Sequence, residues 1–105
     1  MLRRGYLYWV SLDKHRPALL LSPDVRNDKA RDVIVIPAST VMREGPWHVR
    51  LKKGEGGLAE PSVLLCEQIT TVPKDCLDAT TLGGPLSPAR IGEVERAVLR
   101  AIGVP

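Results

Sequence analysis

The chain has 105 residues, enough for one domain around a single core. Hydrophobic residues make up 44 % of it and Phe is absent, so Leu, Val, Ile and Ala must fill the interior. No apolar run is long enough for a signal peptide or a membrane span, so the expectation is a cytoplasmic protein without membrane partners. The formal net charge of +3 is uneven. Residues 1–59 hold 11 basic and 6 acidic side chains, whereas residues 60–105 hold 4 and 6. A basic half is compatible with a polyanionic partner, and equally with a merely solvated surface. Cys66 and Cys76 lack ligand-like spacing to each other and to His15 and His48. They read as reduced structural thiols, and neither a metal nor another cofactor is expected.

Residues 5–12, GYLYWVSL, alternate and are rich in aromatic side chains, which predicts a first strand. Residues 13–16 form a tight charged corner. Residues 17–22 continue as a short apolar run ended by Ser22-Pro23-Asp24, which predicts a second strand buried on both faces. Pro17 pushes Arg16 towards an extended conformation. Arg16 thus stands where a rigid strand meets a loop, either as a functional group or as a solvated strand end. Residues 23–32 are polar and predict a loop. Residues 32–36, DVIVI, predict a third strand stopped by Pro37, with Ala38, Ser39 and Thr40 following.

Residues 47–52 alternate cleanly. Trp47, Val49 and Leu51 share one face; His48, Arg50 and Lys52 form a basic stripe on the other. That stripe is either a solvent face or a phosphate-binding one. Residues 53–57, KGEGG, read as a turn; they lack the context and the ending of a phosphate loop. Residues 62–72, SVLLCEQITTV, predict the longest strand, with Val63, Leu65, Glu67 and Ile69 on one face and Leu64, Cys66, Gln68 and Thr70 on the other. Glu67 and Gln68 interrupt a buried pattern and must find partners or face a cleft. Residues 73–82 turn and add a short edge strand. Ser87-Pro88 is a helix start, and Ile91, Val94, Val98 and Ile102 form its apolar stripe before Gly103 and Pro105. Gly92 costs this helix roughly 1 kcal/mol against Ala, so it depends on packing against the sheet. Five to seven short strands and a terminal helix predict one mainly β domain over residues 1–105, a strongly bent sheet or partly closed barrel.

Six stretches, in order, carry a resemblance: RRGYLYWVSLD, HRPALLLS, VIVIPAS, PWHVRL, GEGGLAEPSVLLCEQITTV and LSPARIGEVERAVLRAIG. Together they resemble the MazF/PemK-type toxins of bacterial toxin–antitoxin systems. The resemblance implies a bent, SH3-like barrel with a C-terminal helix, the fold also used by CcdB-type toxins. It further implies a homodimer, a groove at the dimer interface that cuts single-stranded RNA as an mRNA interferase, and a MazE-like antitoxin that covers the groove. The family's catalytic Arg precedes the Pro of its second strand and falls on Arg16. Its catalytic Thr lies two residues after the Pro of its third strand and falls on Ser39, with Thr40 beside it. Three departures stand out. Residues 13–15 replace a longer loop that shapes the groove, Ser39 replaces Thr, and Thr70 stands where a basic residue commonly follows the EQI motif.

RNA carries its own nucleophile, a 2′-hydroxyl that can attack the adjacent phosphorus. The site must then supply a proton acceptor, a proton donor and positive charge. Arg16 suits the charge, with a fork of donors matched to phosphate oxygens. Ser39 suits a hydrogen bond to a phosphate oxygen. His15, next to Arg16, either shares the proton work or is an idle surface histidine. Glu67 is either a base or a structural partner of Arg16. Lys14, His48, Arg50, Lys52, Glu67, Gln68 and Thr70 complete the candidate RNA-contacting set. Two other readings remain: a CcdB-like gyrase poison, disfavoured by the lack of Trp in residues 101–105, and an RNA-binding relative without activity.

Overall fold

A computed structural model describes residues 1–105. The strands are β1 (Leu7–Ser11), β2 (His15–Leu20), β3 (Asp32–Ser39), β4 (His48–Leu51), β5 (Ser62–Leu65), β6 (Thr70–Pro73) and β7 (Leu77–Thr81). The helices are α1 (Asp24–Lys29), between β2 and β3, and α2 (Pro88–Ala101). All strand pairs are antiparallel. The order is β4-β5-β3-β2-β1-β7, with β6 also paired to β3. The sheet bends strongly but its ends, β4 and β7, do not pair, so the barrel stays open. No helix is long and apolar enough to cross a membrane.

Both faces of the sheet are buried. Leu7, Leu19, Ile36, Val49 and Leu64 pack beneath Val94 and Ala97 of α2. Tyr8, Val10, Ala18, Leu20, Val33 and Val35 pack on the other face with Val72 and Leu77. The strand period of two sends neighbouring residues to opposite cores. That is why β2 reads as a continuous apolar run rather than an alternating one.

β3 organises the bend. Its first six residues pair with β6 and then β2, from Asp32↔Pro73 to Ala18↔Pro37. Its last two residues change partner and pair with β5, as Ala38↔Leu64 and Ser39↔Val63. Pro37 therefore does not stop the strand, contrary to the expectation from the sequence, and β3 runs on to Ser39. It lies at the changeover, where a missing backbone donor is tolerated.

Three further expectations are corrected. Residues 23–32 hold the six-residue helix α1 rather than only a loop. Asn27 is buried there, donating to the Ser22 carbonyl at 2.9 Å, while Ser22 Oγ accepts the Ile34 N–H at 3.0 Å. A helix this short shows no apolar periodicity, so composition alone misleads. Residues 62–72 are not one strand. β5 ends at Leu65, Cys66–Gln68 make a 3-10 turn, and β6 begins at Thr70. The chain must leave β5, which pairs the end of β3, and return beside the start of β3. Glu67 and Gln68 lie exposed on that turn. Finally, Ile102 lies beyond α2 and is exposed, and Ala97 takes its place in the core.

The helix start is as expected: Ser87 caps α2 by accepting the Arg90 N–H at 3.2 Å, with Pro88 in the first turn. Arg90 then ties α2 to the 54–57 turn. Its Nε and Nη2 each lie 2.9 Å from a carboxylate oxygen of Glu55.

Candidate active site

β1 and β2 form a hairpin in register from Leu7↔Leu19 to Ser11↔His15. The second strand begins at His15, earlier than expected, so Arg16 is a strand residue rather than a corner one. Its Cα is opposite Val10. A one-residue slip would exchange the faces of Arg16 and Pro17 and swap Leu19 with Ala18 and Leu20 between the two cores.

β2 and β3 pair only from Leu20↔Val35 to Ala18↔Pro37. Beyond that point β3 turns away to β5, and a cleft of about 190 Å³ is left where the strands part. Lys14, His15, Arg16 and Pro17 line it from β2 and its preceding turn; Ala38, Ser39, Thr40 and Val41 line it from β3 and the chain beyond. Five expected site residues, Lys14, His15, Arg16, Ser39 and Thr40, thus meet in one place.

The Arg16 side chain is 15 % exposed. Its Nη2 donates to Asp13 Oδ2 at 3.2 Å, and its buried Nε–H has no acceptor. A buried donor without a partner is costly, and in a polar cleft it marks a place for a ligand. Ser39 Oγ accepts the Val41 N–H at 3.1 Å. The hydroxyl hydrogen remains free to donate. The His15 ring lies edge-on to Trp9, with centroids 5.1 Å apart at 87°. Asp13 and Trp9, both in contact with site residues, were not singled out for the site from the sequence. The cross-strand pair Trp9↔Pro17 and the three-residue spacing of Asp13 and Arg16 are the signals that could have found them.

The other expected residues lie apart from this cleft. His48 Nε2 and Glu67 Oε2 are 3.2 Å apart, bridging β4 and the 3-10 turn. Glu67 is therefore the partner of His48, not of Arg16. Gln68 and Thr70 are exposed on the turn and on β6. Arg50 donates to Glu44 at 3.0 Å. Arg50, Lys52 and Lys53 border a second, shallow cavity of about 520 Å³ with Met42 and Pro61. The two regions are linked by register: Ser39, Val63 and Arg50 lie in one row across β3, β5 and β4. Arg50 is two strand spacings, roughly 10 Å, from Ser39.

Both cysteines are free thiols. Burial pushes the Cys66 thiol up to about 12, which makes it inert. No three His, Cys, Asp or Glu side chains come together in an arrangement that could hold a metal ion.

The fold is that of the MazF toxins. A Mycobacterium tuberculosis structure, "toxin MazF-mt6", superimposes with a TM-score of 0.86 at 27 % identity, covering 95 % of this chain and 98 % of that one. "Endoribonuclease in complex with its cognate antitoxin from Mycobacterial species" matches with a TM-score of 0.86 at 27 % identity, covering 100 % and 98 %. The "Probable endoribonuclease MazF" of Mycolicibacterium smegmatis is 30 % identical over 110 residues, 98 % of each chain. The model of the PemK-like, MazF-like toxins of type II toxin–antitoxin systems matches residues 3–102, and the chain belongs to that family.

Proposed function

We propose that this protein is an endoribonuclease toxin that cuts single-stranded RNA at the cleft between β2 and β3, using the RNA's own 2′-hydroxyl as nucleophile. The observation that carries this reading is the cleft itself, whose lining Arg16, with a buried Nε–H that has no acceptor, shares with Ser39 and Thr40.

A phosphodiester in the cleft lies against Arg16. The guanidinium neutralises the non-bridging oxygens, and its grip tightens as charge builds in the pentavalent transition state. Ser39, oriented by the Val41 N–H, donates its hydroxyl hydrogen to one of those oxygens. Attack by the 2′-hydroxyl forms the bond to phosphorus and expels the 5′-oxygen, leaving a 2′,3′-cyclic phosphate and a 5′-hydroxyl. No step needs a metal, because the nucleophile is intramolecular and Arg16 supplies the positive charge. His15 lines the same cleft and is the candidate to carry the proton between the two oxygens.

The row from Ser39 to Arg50 supports an RNA path that crosses the strands towards the basic cavity of Arg50, Lys52 and Lys53. The same basic face suits an acidic segment of a MazE-like antitoxin, in line with the antitoxin-bound mycobacterial endoribonuclease. The test is incubation of the purified protein with a long single-stranded RNA, followed by mapping of the ends. Discrete cuts that disappear in Arg16→Ala are expected, and uncut RNA overturns the reading.

A further inference from the structure

Two arginines in this protein use the same edge of the guanidinium, Nε with Nη2, in opposite ways. Arg90 has the edge closed. Both donors bond the two oxygens of Glu55 at 2.9 Å. Each of those side chains is about three-quarters buried. That fork is finished, and it is structural.

Arg16 has the edge half open. Asp13 takes Nη2 alone, through one oxygen at 3.2 Å, and Nε–H is buried with nothing to receive it. The two partners also differ in exposure: the Arg16 side chain is 15 % exposed and Asp13 is 73 % exposed. A solvated carboxylate with a single contact is held weakly. A phosphodiester offers two non-bridging oxygens at a spacing that suits both donors of this edge. It satisfies the orphaned Nε–H, which Asp13 does not.

We propose that Asp13 sets the affinity of the cleft, as an internal anion that holds Arg16 by one donor in the free protein and is displaced when a phosphodiester takes both. This rests on the reading of Arg16 as the phosphate-binding group. In the free protein Asp13 screens the cleft against weakly bound anions. Only a ligand able to close the whole edge gains the second bond in exchange for the first. Asp13 thus acts on binding, through Arg16, and not on the chemical step.

The experiment follows the Arg16 Nε–H resonance of the full chain by NMR during titration with inorganic phosphate. The resonance is assigned by its loss in Arg16→Lys. Phosphate shifts it in the wild type, and in Asp13→Asn the midpoint falls about two- to fivefold, the range of an ion pair with one solvated partner. Asp28→Asn, which removes the same charge from an exposed position on α1, leaves the midpoint unchanged. With a 2′-O-methyl RNA oligonucleotide, Asp13→Asn tightens binding by a similar factor. It does so only while Arg16 is present, and makes no difference in an Arg16→Lys background. On cleavable RNA, Asp13→Asn lowers KM and leaves kcat in place. If phosphate fails to shift the Arg16 resonance in either protein, Arg16 is not the phosphate-binding group and the underlying reading falls. If it shifts with equal midpoints, if Asp28→Asn gives the same gain, or if kcat drops in Asp13→Asn, the role of Asp13 alone is overturned.

Discussion

Arg16 and Ser39 share a cleft because β2 and β3 stop pairing two residues short of each of them, at Ala18↔Pro37. Each is held by a different ladder: Arg16 by β1, opposite Val10, and Ser39 by β5, opposite Val63. Rigid strands thus position both groups, while no backbone bond closes the space between them. Arg16→Ala is expected to slow RNA cleavage by about 100-fold or more, the scale of losing one transition-state donor. Ser39→Ala is expected to slow it more than Thr40→Ala, since Ser39 Oγ is oriented by the Val41 N–H. Single-turnover rates check both; the reverse order of Ser39 and Thr40 would move the catalytic hydroxyl one residue on.

The Arg90–Glu55 fork has a pH signature. The Arg90 guanidinium bonded to Glu55 holds its carboxyl below the ordinary glutamate value of 4.5. A depressed carboxyl stabilises the folded state above its unfolded pKa, and that contribution is lost as pH falls through the folded one. Glu55→Gln should therefore cost about 1–2 kcal/mol near neutrality, for a bidentate and largely buried pair. The gap to wild type should close as the pH falls below about 4.5. Thermal unfolding from pH 3 to 7 measures it; a gap that stays constant with pH contradicts the assignment.

Gly57 and Gly83 bring two backbone segments together. A Cβ at Gly57 would run into the Leu82 carbonyl oxygen, and φ there is +89°. Gly54 has a similar φ, +93°, with open space around it. Both alanine variants bear the left-handed cost of about 1–2 kcal/mol. Gly57→Ala alone adds a backbone clash, so it should be clearly the less stable in urea unfolding. Equal losses would show that the close approach is not maintained in solution.

Much of this architecture was legible in residue pattern. The apolar runs of β2 and β3 announce strands buried on both faces, and Ser87-Pro88 announces α2. The family resemblance named Arg16 and Ser39, and the cleft contains both. What the sequence concealed depends on partners distant along the chain. Nothing local says that β3 changes neighbour at Pro37, or that residues 66–68 must turn to bring β6 back beside β3. Glu67 looked available to Arg16 because a strand pattern sets only its face; the 3-10 turn gives it to His48 instead. Asp13 carries no signal of its own, because an acidic residue in a charged corner looks solvated, and it is, save for one oxygen on Arg16.

Several large apolar side chains remain on the surface, among them Trp9 at 42 % and Trp47 at 38 % exposure. With no Phe in the chain, both of its Trp residues are half-exposed. We expect a homodimer that buries part of this surface across an isologous interface. Light scattering at micromolar concentration should give twice the chain mass of 11.5 kDa. A single-chain mass throughout that range rules the dimer out.

The most direct measurement is the chemistry of the cut ends. Attack by the 2′-hydroxyl leaves a 2′,3′-cyclic phosphate upstream and a 5′-hydroxyl downstream. Attack by water on phosphorus with loss of the 3′-oxygen leaves a 5′-phosphate. Cleavage of single-stranded RNA by the wild-type protein in EDTA, with ends identified by mass spectrometry, separates the two. The same substrate carrying a single 2′-deoxynucleotide at the cut site should resist, and Arg16→Ala should leave the intact substrate nearly untouched. Cyclic phosphate and 5′-hydroxyl ends, lost on deoxy substitution, are the expected result. A 5′-phosphate, or undiminished cleavage at the deoxy position, would contradict it.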